Sequence, residues 1–216
     1  MGVIGAYIFN GKYIIILDQD DKLVDSILID YSKIISSNST YDLIVSNGWF
    51  EDKSNLKHLL YTNSNDLNMA ISPKNHYLIR NFITSPGQCL IKKAAIPEEW
   101  KRNIIKNNGC DDTFLWLLMF NSNAKIFGNQ QPEYIHKYSG SNTMLNKEKM
   151  YQSKLEMIQK LETITNFNKK NLSKIRKSAS YKYNYKKNFF TQSLFHPYIF
   201  YYNVKYRIKW KGYTLN

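Results

Sequence analysis

The stretch Gly11-Lys12-Tyr13-Ile14-Ile15-Ile16-Leu17-Asp18-Gln19-Asp20-Asp21 sets how the rest of the chain is read. Tyr13 to Leu17 is an unbroken apolar run with a β-branched centre, bounded by Gly11 and by acids. Such a run reads as a buried strand, at home in an α/β sheet. Open α/β sheets place ligands beyond the C-terminal ends of their strands. This strand ends on Asp18, Asp20 and Asp21, three carboxylates that repel one another unless a cation neutralises them. Hard divalent cations such as Mg²⁺ and Mn²⁺ take one or two carboxylates and complete their shell with substrate phosphates. A calcium-loop reading fails, because Lys22 takes a ligand position and Leu23 the position that requires Gly. Taken by itself the cluster also fits a solvated acidic turn; the strand before it favours the ligand site.

Working outward, residues 23–35 read as a helix and Tyr41 to Ser46 as a second strand. Residues 54–80 are polar and mixed and show no clear period. Ser85-Pro86-Gly87-Gln88 is a turn, from its Pro-Gly pair, and Cys89-Leu90-Ile91 a short strand after it. Ile96-Pro97-Glu98-Glu99-Trp100 has Pro at the first turn and acids beside it, which marks a helix start. After the loop Asn107-Asn108-Gly109-Cys110, Asp111-Asp112-Thr113 opens an apolar helix through Phe120, with acids suited to the helix dipole. Tyr134-Ile135-His136 is a short strand. Residues 145–177 alternate charge and apolar side chains at helical spacing.

A chain of 216 residues with 43% hydrophobic residues can bury one good core, with room for a small appendage. Its net charge of +13 is uneven. Residues 1–144 hold 14 Lys+Arg and 14 Asp+Glu, so the whole excess lies in residues 145–216, and no acid follows Glu162. That balance argues against nucleic acid as the partner of the first two thirds. Cys89 and Cys110 make no disulfide framework, which points to a reducing compartment. There is no basic-then-apolar leader, and Phe114 to Phe120 is too short to span a bilayer.

Two further groups can carry chemistry. A carboxylate at Asp112 in a partly dry site would have a raised pKa and could act as a general base, although acids at a helix start are also common for capping. His136 could ligate a metal and Lys137 contact phosphate, before the turn Ser139-Gly140-Ser141-Asn142; a lone His is more often an ordinary surface or core residue.

In order and spacing these pieces resemble family 2 glycosyltransferases of the GT-A fold, over about residues 5–144. The family's GxYIxxLDxDD strand is matched at residues 11–21. Its acceptor-side turn and strand are matched by Ser85 to Lys93. Its G-x-E-D-x-x-L-W pattern is matched at Gly109-Cys110-Asp111-Asp112-Thr113-Phe114-Leu115-Trp116, and its closing element by Tyr134-Ile135-His136. The resemblance implies an α/β fold with a Rossmann-like mixed sheet flanked by helices, and transfer of a sugar from a nucleotide-sugar donor to a saccharide or lipid-linked acceptor in surface-polysaccharide synthesis. It implies inversion and a need for Mn²⁺ or Mg²⁺. Asp18 and Asp21, with Lys137, would serve the donor, and Asp20 the metal. His136, which stands 24 residues after Asp112, would be a second metal ligand. Asp112 would be the base, beside Asp111 where the family has Glu. Ser85, Pro86, Gly87, Gln88 and Trp116 would form the acceptor side.

One departure counts. The family begins with strands ending in P-x-Y-N and D-D/G-S, which cradle the nucleobase and ribose. This sequence starts just before the DxDD strand, with Gly5 near the family's R-N-x-G segment but without its Arg and Asn. The expectation is an N-terminally truncated catalytic part over 1–144 and a basic, aromatic-rich helical tail over 145–216, with weak donor binding. The tail's 12 Lys+Arg after residue 162, interleaved with aromatics, suit an anionic membrane face. The expected place is the cytoplasm, at the inner face of the membrane. A non-catalytic scaffold, or a membrane- or nucleic-acid-binding module, is the alternative, with nucleic acid disfavoured.

Overall fold

The computed structural model describes residues 10–107, 109–138, 146–185 and 189–213. Gly5, Asn108 and the turn Ser139-Gly140-Ser141-Asn142 lie outside the described residues. Six described strands form one mixed sheet: β1 (Tyr13–Ile14), β2 (Lys22–Leu23), β3 (Leu43–Glu51), β4 (Lys57–Leu59), β5 (Cys89–Lys92) and β6 (Ile126–Lys137). Their order is β1-β5-β3-β6-β2, with β4 also pairing β3. The described helices are α1 (Ile27–Ser37), α2 (Ser64–Ala70), α3 (Pro73–Leu78), α4 (Glu98–Arg102), α5 (Asp111–Asn121), α6 (Lys147–Thr163), α7 (Lys169–Tyr185), α8 (Phe189–Phe195) and α9 (Pro197–Lys209).

The centre of the sheet is β3. Leu43, Ile44 and Val45 are buried on both faces, as a central strand requires. It pairs antiparallel with β5 and, along its whole length, parallel with β6. The register shifts around Asn47, opposite Pro132, where a residue without an N–H interrupts the ladder. Gly48 is needed just beyond: a Cβ there would stand 2.7 Å from the Tyr134 carbonyl oxygen.

The run at residues 13–17 is not a long central strand. Only Tyr13 and Ile14 pair, with β5, at the sheet's described edge. Its apolar character serves two faces instead: Ile14 and Ile16 pack on the main core, Tyr13 and Ile15 on a smaller cluster with Ile27, Tyr31, Ile44 and Leu90. That smaller cluster is where α1 covers one sheet face. The helix expected over 23–35 begins only at Ile27, because Lys22 and Leu23 pair with β6 first. The short strand at 134–136 is the end of the 12-residue β6.

On the other face lies α5, buried from Phe114 through Phe120. The basic tail shares this core. Met157, Leu161, Ile175, Ala179, Ile199 and Trp210 belong to the same cluster as Trp116. The chain then returns to the sheet: Lys211 N–H donates to Asp66 Oδ1 at 3.0 Å, and Tyr213 stacks on Phe50 at 4.4 Å.

Candidate active site

Asp18-Gln19-Asp20-Asp21 is a tight turn closed by Asp21 N–H donating to the Asp18 carbonyl at 3.1 Å. The turn sorts its carboxylates. Asp18 and Asp20 are exposed, whereas Asp21 points inward and is buried. Asp21 accepts from the Tyr134 hydroxyl, from Lys137 N–H at 3.1 Å, and from His136 Nδ1 at 2.9 Å. A buried carboxylate survives only with such partners. Asp21 therefore acts as the hub that ties the turn to the end of β6.

The Ser85 turn backs this hub. Ser85 Oγ lies 3.3 Å from Asp18 Oδ2 and 3.4 Å from Asp21 Oδ2, sharing its proton between them. Pro86-Gly87-Gln88 is one turn of 3₁₀ helix held by a Ser85–Gln88 capping box. A Cβ on Gly87 would meet the Tyr134 ring at 2.8 Å, so only Gly admits that ring. Gln88 is fully buried and donates to Ser46 O and to the Tyr61 hydroxyl. Gln88 and Trp116, both at 0% exposure, offer no surface to a ligand.

At the head of α5, Asp111 is exposed and Asp112 half-buried. Desolvation, reinforced by the charge of Asp111, pushes the Asp112 carboxyl up to about 7, against donated bonds from Thr113 that pull it down. Asp18 adds to the same rise, which places the acidic turn and Asp112 within one electrostatic neighbourhood. Asp18 itself is raised by lost hydration and by Asp21. Asn81 Nδ2 donates to Asp112 Oδ2 at 3.0 Å.

Asn81 has no sequence signal of its own, because it follows the stretch that shows no period. Its support comes from the tail. Arg80 sits over the rings of Phe82, Tyr206 and Trp210 at 5.0, 5.1 and 5.5 Å, and the Tyr61 hydroxyl donates to Phe82 O at 2.9 Å. The segment presenting Asn81 to Asp112 is thus clamped between the sheet and α9.

His136 bears on metal binding. Its Nδ1 faces the Asp21 carboxylate, which favours the proton on that nitrogen, and its buried Nε2 has no partner. A carboxylate orienting a histidine whose other nitrogen is free is the usual arrangement behind a metal ligand. Among the described residues no three His, Cys, Asp or Glu side chains converge closely enough to hold an ion alone. An ion here would need oxygens from a ligand, as Mg²⁺ commonly does. Lys137 does not reach toward the acidic turn with its ammonium, which pairs with Glu51 at 3.5 Å; its backbone N–H serves Asp21.

No protein-family model and no curated protein sequence matches the chain. Among solved structures it is similar to S. aureus TarS, residues 1–349, with a TM-score of 0.51 and 12% identity over 86% of this chain and 52% of that one. The fold is a partial glycosyltransferase fold. TarS in complex with UDP is similar at a TM-score of 0.50 and 14% identity, over 89% of this chain and 53% of that one. The chain therefore spans about half the length of the TarS chain it matches. The likeness establishes a shared fold.

Proposed function

We propose that residues 1–144 carry the acid-lined part of a site that transfers a sugar from a nucleotide-sugar donor to a hydroxyl acceptor, with residues 145–216 as a supporting basic tail. The observation that carries this reading is Asp112, a carboxyl raised to about 7 at a helix start, within electrostatic reach of the Asp18 turn. The likeness to a protein crystallised with UDP supports a UDP-sugar as donor, with UDP as the leaving group.

In this reading Asp112, once ionised, takes the proton of the acceptor hydroxyl. The freed oxygen attacks the anomeric carbon as the bond to the diphosphate breaks, and a single displacement inverts that carbon. Asp18 accepts a hydrogen bond from the donor nucleoside. Mg²⁺ or Mn²⁺, held by Asp20 and His136 Nε2 together with donor phosphate oxygens, would supply Lewis-acid stabilisation of the departing diphosphate. Asn81 and Thr113 fix the base, while Asp21 fixes His136. The acceptor is a saccharide or lipid-linked hydroxyl, and the setting is surface-polysaccharide synthesis on the cytoplasmic side.

The test is UDP release from a panel of UDP-sugars with Mn²⁺. Turnover that falls about 10²–10⁴-fold in Asp112→Asn supports a general base there, provided that UDP binding measured by titration calorimetry persists. No UDP release and no UDP binding across the panel would leave a non-catalytic module as the reading.

A further inference from the structure

We propose that α8 and α9 form a membrane-docking face, and that the basic pocket beside them seats the phosphate headgroup of an anionic lipid. This face is independent of the catalytic site. Helix α9 is apolar on two sides. Ile199, Tyr206 and Trp210 lie on the inner side, where they pack on the core. At about 100° per residue, Tyr198, Tyr201, Val204 and Ile208 fall on roughly one third of the circumference, away from that side. All four are exposed, Lys205 stands on the same arc with its ammonium over the Tyr201 ring, and Leu194 and Phe195 of the preceding α8 are also exposed, at 80% and 74%. Several large apolar side chains exposed on one arc, with a lysine among them, mark an interaction surface.

The occupant follows from charge. Lys169, Lys170, Lys174 and Lys177 of α7 line a pocket of about 590 Å³, closed by Phe195 and Tyr198 from the stripe itself. Among the described residues no acid lines the pocket, and no acid follows Glu162 in the sequence. Lys205 and Lys209 belong to α9 itself. Apolar side chains flanked by lysines, on a helix of 13 residues, suit a helix lying in the membrane interface. No described helix is long and apolar enough to cross a membrane. Nucleic acid would use the lysines but gains nothing from exposed Leu194 and Ile208, since bases stack on flat rings. A second copy would bring the same lysines face to face.

The full chain is sedimented with neutral phosphatidylcholine vesicles and with vesicles containing phosphatidylglycerol. Binding is expected only to the anionic vesicles. Lys170→Ala combined with Lys174→Ala should weaken the partition coefficient about 30-fold. Leu194→Asn combined with Ile208→Asn should weaken it as well, and because both positions are exposed the melting curves should match the parent chain. The proposal is overturned by no binding to anionic vesicles at low salt, by binding unaffected by the Leu194/Ile208 pair, or by a gel shift with RNA in a chain that ignores vesicles. Competition by soluble glycerophosphate that displaces the chain from vesicles supports headgroup capture, and equal sedimentation with neutral vesicles refutes it.

Discussion

Replacing Asp112 with Asn should make the protein more stable at neutral pH while removing its chemistry. Burial and Asp111 hold the folded-state carboxyl at about 7, against an ordinary 3.8. The folded state therefore keeps its proton where the unfolded chain has already released it. The penalty is absent below about pH 4, grows between about pH 4 and 7, and is complete above that. Fully expressed it would be about 4 kcal/mol, and the half-exposed position of Asp112 cuts this to about 2–3 kcal/mol. Against this gain stands the bond from Asn81 Nδ2. Both Asp112 oxygens accept, Oδ2 from Asn81 and Oδ1 from Thr113, so an amide sets donor against donor on one side whichever way it turns, at a cost of about 1 kcal/mol. D112N should thus be equal to or slightly less stable than the parent at about pH 4.5, and about 1–2 kcal/mol more stable at about pH 8. For a chain of this size that difference raises Tm by roughly 2–8 °C. Urea unfolding followed by tryptophan fluorescence across that pH range measures it. A stability difference that stays constant with pH would refute the claim that Asp112 ionises at a cost in the folded protein. In the parent, turnover should rise with pH through about 7, because the ionised carboxylate is the active form.

Asp21→Asn leaves the Tyr134 hydroxyl, Lys137 N–H and His136 competing for one oxygen, and should cost about 2–4 kcal/mol in urea unfolding. Gly87→Ala drives a methyl into the Tyr134 ring and Leu17, and should destabilise by about 1–3 kcal/mol in the same assay. Trp210→Ala empties the contact with Phe82 and Tyr61 and uncovers one side of Arg80; a loss of about 3–5 kcal/mol is expected, with UDP release reduced because Asn81 loses its support. Chelation with EDTA should abolish UDP release and added Mn²⁺ restore it, whereas His136→Ala should raise the Mn²⁺ concentration needed about 10–100-fold.

Some features are plain from local chemistry. The Pro86-Gly87 turn, the α5 start at Asp111 and its buried run to Phe120 each arise from side chains adjacent in sequence. The acidic turn is legible for the same reason, since three carboxylates in four residues signal their own repulsion. The length of β6 is not legible, because Asn129, Gln130, Gln131 and Pro132 carry neither an apolar period nor strand propensity; pairing with β3 imposes the strand. The run at residues 13–17 reads as central, yet its side chains alternate between two clusters at an edge, which a string of similar apolar residues does not reveal.

The order of residues is enough to establish an α/β core, an excess of positive charge in the last third, and one turn shared by Asp18, Asp20 and Asp21. It takes the folded chain to show that Asp21 faces inward to His136 and Tyr134, leaving Asp18 and Asp20 outside. Folding also brings Asn81, clamped by Tyr206 and Trp210 through Arg80, to the carboxyl of Asp112. The reason is range: repulsion within a turn and helix periodicity act between near neighbours, whereas burial, the raised carboxyl and the orphaned His136 nitrogen depend on residues tens to more than a hundred positions away.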